Sequence, residues 1–567
     1  MTQKELLSLT VRRPAILAIM AFVIAALLGP NANLTSFYLH RQDRWLLLVA
    51  ALLLVLCAWR LPARSQALTG GRQLAFAVGA VMAFAAFAGH YGILSGYDLS
   101  RDEQMANFDA AVFAQWRLVA PLTGIWRDHA DALNTMFMYP TNHTAGWISA
   151  YLPLNGAFRA FFGLLGDTAL TGPAMLLIGA VALWGCTQRI WPDDREAGVV
   201  ALLLYLGSGQ ILFNGMTAYA MPAHLALNLC WLWLFLRRTI WADATALTVG
   251  FVAVGLHQPI MHPMFAAPIL FLLVLERDWR RAAFYLGGYA VIGAFWAWWP
   301  TAMWQLVEAD AMAPRGEGVD YISRLVATVL DGDAMRVANM MSNIVRFFAW
   351  QHLLLLPLLL WGIAVARKDR LAGALMGGIL LTTTVMFIIL PYQGHGFGYR
   401  YLHGLIGNFI LLAVYGWGRL DDALSFGRNM LLRTTVAALF VTFPLQAWMA
   451  HAFYAPAARA SERIAKSGAD YVAIGADDAP FMIDLVVNSP DLVGRPIRLV
   501  RGSIDLELAQ ALCTSQSAPL VVFAGEGLLQ PIRAAFGFDA TEPGAQEANQ
   551  GIGSLMREFG CQTAIIE

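Results

Sequence analysis

Asp102 and Glu103 stand side by side in Gly96-Tyr97-Asp98-Leu99-Ser100-Arg101-Asp102-Glu103-Gln104, directly after an apolar run. A carboxylate so placed can take a proton from an acceptor hydroxyl while that oxygen attacks an activated carbon. The plainer account is a hydrated loop start whose charges pair with Arg101. His257 and His262, in Gly255-Leu256-His257-Gln258-Pro259-Ile260-Met261-His262-Pro263, fall at a turn between two further apolar runs. Polar side chains at membrane depth are costly and mark function, so these two suit a phosphate or a metal; interfacial histidines satisfied by backbone and water are the alternative. With no third ligand spaced nearby, no cofactor is expected, and a divalent metal is the other option. Arg400 and Tyr401 close the run His395-Gly396-Phe397-Gly398-Tyr399-Arg400-Tyr401-Leu402-His403. A guanidinium there can clamp a phosphate with two parallel hydrogen bonds and stabilise a leaving group's charge, or simply snorkel at the interface. His224, Arg101 and His395 are candidates for a second site. Arg127, Asp128, His129 and Asp131 read as a solvated loop face.

The elements that position these groups are written in the composition. The 567 residues are 58% hydrophobic and 13% charged, with no net charge, whereas soluble domains carry roughly a quarter charged residues. Mean hydropathy is +0.56, which argues against a water-soluble fold and against nucleic acid as a partner. Apolar runs of about 14 to 22 residues predict about thirteen membrane helices. They fall near 14–29, 45–60, 73–94, 170–188, 197–213, 222–236, 243–258, 262–275, 283–300, 350–365, 371–390, 404–418 and 434–453. Lys4, Arg12 and Arg13 precede the first, which has the layout of a signal peptide or a first span.

Arginine and lysine in short loops set the orientation. Arg60, Arg64, Arg72, Arg189, Arg195, Arg237, Arg238, Arg277, Arg280, Arg281, Arg367, Lys368, Arg370, Arg419, Arg428 and Arg433 fall on one side, taken as cytoplasmic together with the N-terminus. Arg41 and Arg44 are the exception. The outer side then carries the segments 95–169 and 301–349 and the tail. Within the first, Trp147 to Leu165 suits a helix lying in the interface. The chain divides into a multi-span domain, 1–453, and a soluble α/β domain, 454–567, whose short apolar runs at 471–474, 497–500, 520–523 and 563–566 read as strands. Cys57, Cys186 and Cys230 sit in apolar runs as packing residues, while Cys513 and Cys561 in the tail are candidates for a disulfide. The sequons at Asn33 and Asn142-His143-Thr144 are read as chance.

The acidic loop resembles that of the GT-C superfamily of membrane glycosyltransferases, in particular the branch of protein O-mannosyltransferases and lipid A aminoarabinose transferases. The likeness extends over most of the chain: an outer loop opening on an Asp-Glu pair, interface helices after it, many further spans and an outer C-terminal domain. The resemblance implies Asp102 as general base with Glu103 orienting the acceptor or the base. Members resembling it also show an Arg-Tyr pair where Arg400-Tyr401 stand, and on the chemistry of the residues Arg400 with His257 and His262 would hold the donor phosphate. Members typically have one span before the acidic loop, where this chain has three, and often a second acid about where His224 stands.

The expected function is inverting transfer of a sugar from a polyprenyl-phosphate donor to an acceptor hydroxyl on a glycan, lipid or protein. The expected location is a bacterial inner membrane, with the C-terminal domain periplasmic. The rivals are a membrane transporter or lipid-linked glycan flippase, and a glycan ligase or polymerase using a pyrophosphate-linked donor. Transporters keep ionisable groups near the midplane, whereas the polar clusters here fall at the ends of spans.

Overall fold

The computed structural model describes residues 7–29, 33–62, 65–139, 144–307, 335–420, 423–476, 478, 481–514, 518–537 and 545–567. Lys4, Arg64, the Asn142-His143 part of the second sequon and the middle of the 301–349 segment lie outside the described residues. The chain divides into two compact units. One comprises Met1–Gly89, Ala169–Trp296 and Tyr321–Trp448; the other comprises His90–Thr168, Ala297–Asp320 and Met449–Glu567.

The first unit is helical. In a bilayer a backbone must satisfy its own N–H and C=O groups, and long apolar runs do so as helices. Among the described residues of the whole chain, Ser8–Leu28, Arg72–Gly92, Thr168–Ile190, Arg370–Ile389 and Leu424–Ala465 are long and apolar enough to cross a membrane. Met221–Phe235, Ile240–Val254, Met261–Leu275 and Leu355–Ala366 are shorter apolar helices. The run expected at 197–213 is two helices, Arg195–Leu206 and Gly209–Asn214, because Ser208 starts a new one by accepting from Ile211 N–H at 3.3 Å. The run expected at 434–453 is part of one longer helical stretch, with a π-helical turn at Ala438–Thr442. Helices Leu355–Ala366 and Ile406–Trp417 touch backbone to backbone: a Cβ at Gly362 would stand 1.9 Å from Leu412 O, and one at Gly416 2.0 Å from Leu358 O. Small residues permit that approach where lipid supplies no hydrophobic drive.

An ion pair lies inside this unit. Arg346 Nε meets Asp43 Oδ2 at 2.7 Å, Trp350 Nε1 donates to Asp43 Oδ1 at 2.6 Å, and both charged side chains are sealed from solvent. The guanidinium also lies 5.1 Å over the Tyr38 ring and donates to Gly396 O at 3.1 Å.

In the second unit a four-stranded parallel sheet runs in the order Ile497–Val500, Tyr471–Ile474, Leu520–Ala524, Gln562–Ile566. These are the four runs read as strands in the sequence. Parallel pairing needs crossovers, and helices Leu506–Thr514, Glu526–Phe536 and Ala545–Glu558 fill the intervals. Cys513 and Cys561 form a disulfide with Cα atoms 5.0 Å apart. One core joins this sheet to the acidic segment, with Phe108, Trp126 and Trp147 in the same apolar cluster as Tyr471, Leu499 and Phe523.

Asp43→Ala leaves Arg346 buried without its partner and is expected to cost about 3–5 kcal/mol. Adding Arg346→Met should recover much of that loss. Thermal unfolding of the detergent-solubilised variants checks it, and a double variant less stable than Asp43→Ala alone would contradict it.

Candidate functional site

Helix Arg101–Ala114 starts at Ser100 through a reciprocal cap. Ser100 N–H and Oγ donate to Glu103 Oε2 at 3.2 and 3.1 Å, and the Tyr454 hydroxyl reaches both Glu103 oxygens at 3.3 Å. Glu103 has no exposed surface. Its carboxylate holds the helix start, one residue from the Asp102 that it is expected to orient, or whose acceptor it is expected to orient. Asp102, one residue earlier, is half-buried, and its Oδ1 accepts from the Tyr151 hydroxyl. A carboxylate in the first turn is favoured by the helix dipole.

Arg101 is buried and faces another way. It donates to Met136 O at 3.2 Å, to Asn134 O, and to Gln104 Oε1 at 3.4 Å. Burial brings its pKa down to about 10, against the pull of Asp484 and Tyr151. Gln104 Nε2 donates to Asp484 O at 2.7 Å and Asn134 Nδ2 to Ile483 O at 2.8 Å, so the Met482–Leu485 turn is tied to the acidic helix. Asp484 is pushed up to about 7, chiefly by burial, with Arg101 opposing and the charge of Asp102 adding. Neither Asp484 nor Tyr151 is among the site residues expected from sequence, although Tyr151 falls within the stretch Trp147 to Leu165 expected to lie in the interface.

The other predicted residues gather in the first unit. A small cavity of about 30 Å³ is lined by His224, Asn228, His257, Thr382, Arg400 and Tyr401, among others. Arg400 is 4% exposed, and its guanidinium lies 4.3 Å from the Tyr219 ring centroid. Its backbone N–H donates to Gln393 Oε1 at 2.7 Å, and Gln393 Nε2 donates to Gly398 O at 2.9 Å. Gly396, at φ +135°, lets the arginine stem pass, since a Cβ there would stand 2.3 Å from Arg400 Cδ. Both ring nitrogens of His224 are buried without a hydrogen-bond partner among the described residues. Such a group is an exception among native structures and points to a ligand or water.

His262 differs from the expectation of a phosphate contact, because its ring is fully occupied. Nδ1 faces Asn228 Oδ1 at 2.7 Å and Nε2 faces Tyr289 OH at 2.7 Å. Asn228 donates its amide to Gly404 O at 2.9 Å, which leaves its Oδ1 as acceptor and assigns the His262 proton to Nδ1. The ring thus fixes Asn228 in the cavity wall. His395 meets the Tyr38 hydroxyl at 2.6 Å through Nδ1. Among the described residues no three His, Cys, Asp or Glu side chains converge as a metal-binding group.

No family model and no curated protein matches the chain. Among solved structures it is similar to ArnT from Cupriavidus metallidurans bound to undecaprenyl phosphate, at 13% identity and a TM-score of 0.45, over 87% of this chain and 89% of that one. The apo state of that protein gives 12% identity and a TM-score of 0.40, over 86% and 89%. The Archaeoglobus fulgidus oligosaccharyltransferase complex with Zn and sulfate gives 14% and 0.39, over 85% of this chain and 67% of that one.

Asp484 gives the second unit a pH dependence whose sign is fixed. Its folded pKa of about 7 lies above the ordinary 3.8, so the folded state holds the proton more tightly than the unfolded chain. The resulting stability is complete below the ordinary value and is lost as pH rises towards 7. Asp484→Asn, neutral throughout, should lack that decline and be at least as stable as the parent in mild alkali. Melting temperatures across this pH range check it; coincident profiles would contradict it.

Proposed function

We propose that the protein is a membrane glycosyltransferase that moves a sugar from a polyprenyl-phosphate donor to an acceptor hydroxyl, with inversion at the sugar carbon. The observation that carries this reading is the cavity shared by Arg400, Tyr401, His257 and the unmet ring of His224. A buried guanidinium beside an unsatisfied imidazole, within apolar helices, suits an anionic headgroup whose tail stays in lipid. The guanidinium is the residue type that grips a phosphate with paired hydrogen bonds, and the apolar helices around it favour a donor carried on a lipid.

In the reaction the acceptor oxygen bonds to the sugar carbon as the bond from that carbon to the phosphate oxygen breaks. Asp102 accepts the hydroxyl proton, and the polyprenyl phosphate leaves with the bonding pair. Single displacement inverts the carbon. Arg400 stabilises the charge that grows on the departing phosphate, with His257 and His224 as further contacts. Tyr151 orients the Asp102 carboxylate, and Glu103 acts through the helix start that it caps. The reading includes a bacterial inner-membrane location, an N-terminus in the cytoplasm, a periplasmic C-terminal domain, and a glycan, lipid or protein as acceptor. No cofactor is assigned.

The purified protein, given a labelled sugar on a polyprenyl-phosphate donor, is expected to transfer it. Asp102→Asn should lower turnover by about a hundredfold or more while donor affinity is kept. Arg400→Ala should weaken donor binding and also slow transfer, by roughly tenfold each for a lost charge-assisted hydrogen bond. Full activity in the Asp102 variant rejects the base, and unchanged donor affinity in the Arg400 variant rejects the clamp.

A further inference from the structure

We infer that Gln210 is a positioning residue for Arg400: it fixes the peptide unit from which the guanidinium side chain projects. This role rests on the proposed reading of Arg400 as the grip on the donor phosphate. Gln210 lies in the short helix Gly209–Asn214 and has no exposed surface.

The Tyr399–Arg400 peptide is held at both ends by side-chain amides. Its carbonyl, Tyr399 O, accepts from Gln210 Nε2 at 2.8 Å, and its N–H, on Arg400, donates to Gln393 Oε1 at 2.7 Å. The helical turn Arg400–Leu405 starts at this peptide, and Tyr399 before it offers that turn no side-chain cap. A buried carbonyl in such a place needs a donor, and any donor would meet the need. What stands there is more constrained. A backbone carbonyl can only accept, so Gln210 presents its NH2 to Tyr399, which turns its Oε1 towards Gln351 Nε2 at 2.8 Å. Gln351 Oε1 in turn accepts from Ser208 Oγ at 2.8 Å, and Ser208 takes the Ile211 N–H as it starts the helix. Each amide of the series therefore has a single orientation, set by what its partner can donate or accept. All of these side chains are buried. Amides among apolar helices are costly unless bonded, and a bonded series holds its members in one arrangement.

Gly398 supplies a second observation. It has φ +65° and stands so close to Gln210 that a Cβ would lie 2.6 Å from Gln210 Oε1. Asn214, at the end of the same helix, donates to Phe397 O at 3.3 Å. The helix thus meets Phe397, Gly398 and Tyr399 in succession, directly before the arginine. Beyond the peptide, the guanidinium lies against Tyr219, and Arg400 shares the wall of the cavity with His224 and His257. Turning that peptide would swing the long side chain, so a small rotation at the backbone is enlarged at the charged end.

The test is a double-variant cycle on the full-length protein in nanodiscs, read as affinity for a polyprenyl phosphate. Gln210→Met keeps the length of the side chain and removes its hydrogen bonds. It should weaken binding by about fivefold, less than the roughly tenfold expected of Arg400→Ala. In the Arg400→Ala background the same change should alter affinity by less than about twofold, since a residue that acts through Arg400 has nothing left to position. Asn408→Leu controls for lost stability. It removes another buried amide of the first unit, bonded to Leu375 O at 3.1 Å and not part of the cavity wall, and should lower the melting temperature while affinity is kept. Should Gln210→Met not fold, Gln351→Met takes its place: it keeps the bond to Tyr399 O, frees the Gln210 amide to turn, and should weaken binding by about threefold. Affinity equal to the parent's in the glutamine variant overturns the positioning role and leaves the grip standing. So does an effect of full size in the Arg400→Ala background, or an equal loss in Asn408→Leu. Unchanged affinity in Arg400→Ala itself removes the grip, and with it the role of Gln210.

Discussion

A charge buried among apolar helices has to be met, and the Asp43–Arg346 pair determines how the segment before Arg400 is held. Arg346 answers Asp43 with one nitrogen and Gly396 O with another, so the glycine-rich segment is fixed by the same fork that neutralises the carboxylate. The bonds around it repeat the arrangement. Thr35 Oγ1 and Gln393 bond both ways, at 3.2 and 3.0 Å, and Tyr38 holds His395. Residues 33–43 thus serve as a template on which 393–400 is laid, and Gln393 in turn holds the Arg400 backbone. The Arg400 backbone is held in one place because Gln393, which accepts from it, is bonded at both ends of its amide.

The second unit solves a similar problem with neutral and acidic groups. Glu103 is bonded to the cap and to Tyr454, while Asp102, in the same first turn, accepts from the Tyr151 hydroxyl. Asp484 arrives from the turn Met482–Leu485, bonded through Gln104, and its raised pKa follows chiefly from burial, which outweighs the pull of Arg101. The C-terminal sheet is therefore joined to the acidic helix by hydrogen bonds and by one apolar core, rather than carried as an independent appendage.

The sequence made the strands legible because each is a short apolar run bounded by polar intervals, and parallel strands buried on both faces read that way. Cys513 and Cys561 were legible because they alone among the cysteines lie in polar surroundings. His224 stands out only through the resemblance, about where family members often have a second acid, and the structure adds that its ring nitrogens have no hydrogen-bond partner among the described residues. The part played by His262 was not legible, since only its neighbours Asn228 and Tyr289 reveal a ring already occupied. Asp43, Arg346 and Asp484 could not be found by spacing at all: each acts through a partner distant in the chain, and nothing local marks them. Arg44 looked like a breach of the charge bias at the first outer loop, yet it stacks on Trp45 at 5.0 Å, next to an Asp43 that belongs to the core. Periodicity reports burial; it does not report who is paired with whom.

The central claim is that Arg400 and its cavity receive a lipid-borne phosphate. A density map of the protein in nanodiscs containing a polyprenyl phosphate tests it most directly. The account predicts phosphate density within hydrogen-bond distance, about 3 Å, of the Arg400 guanidinium, with the polyprenyl tail running along the apolar helices of the first unit. Phosphate density seated elsewhere, with Arg400 still lying on Tyr219 and in contact with no ligand atom, would contradict it.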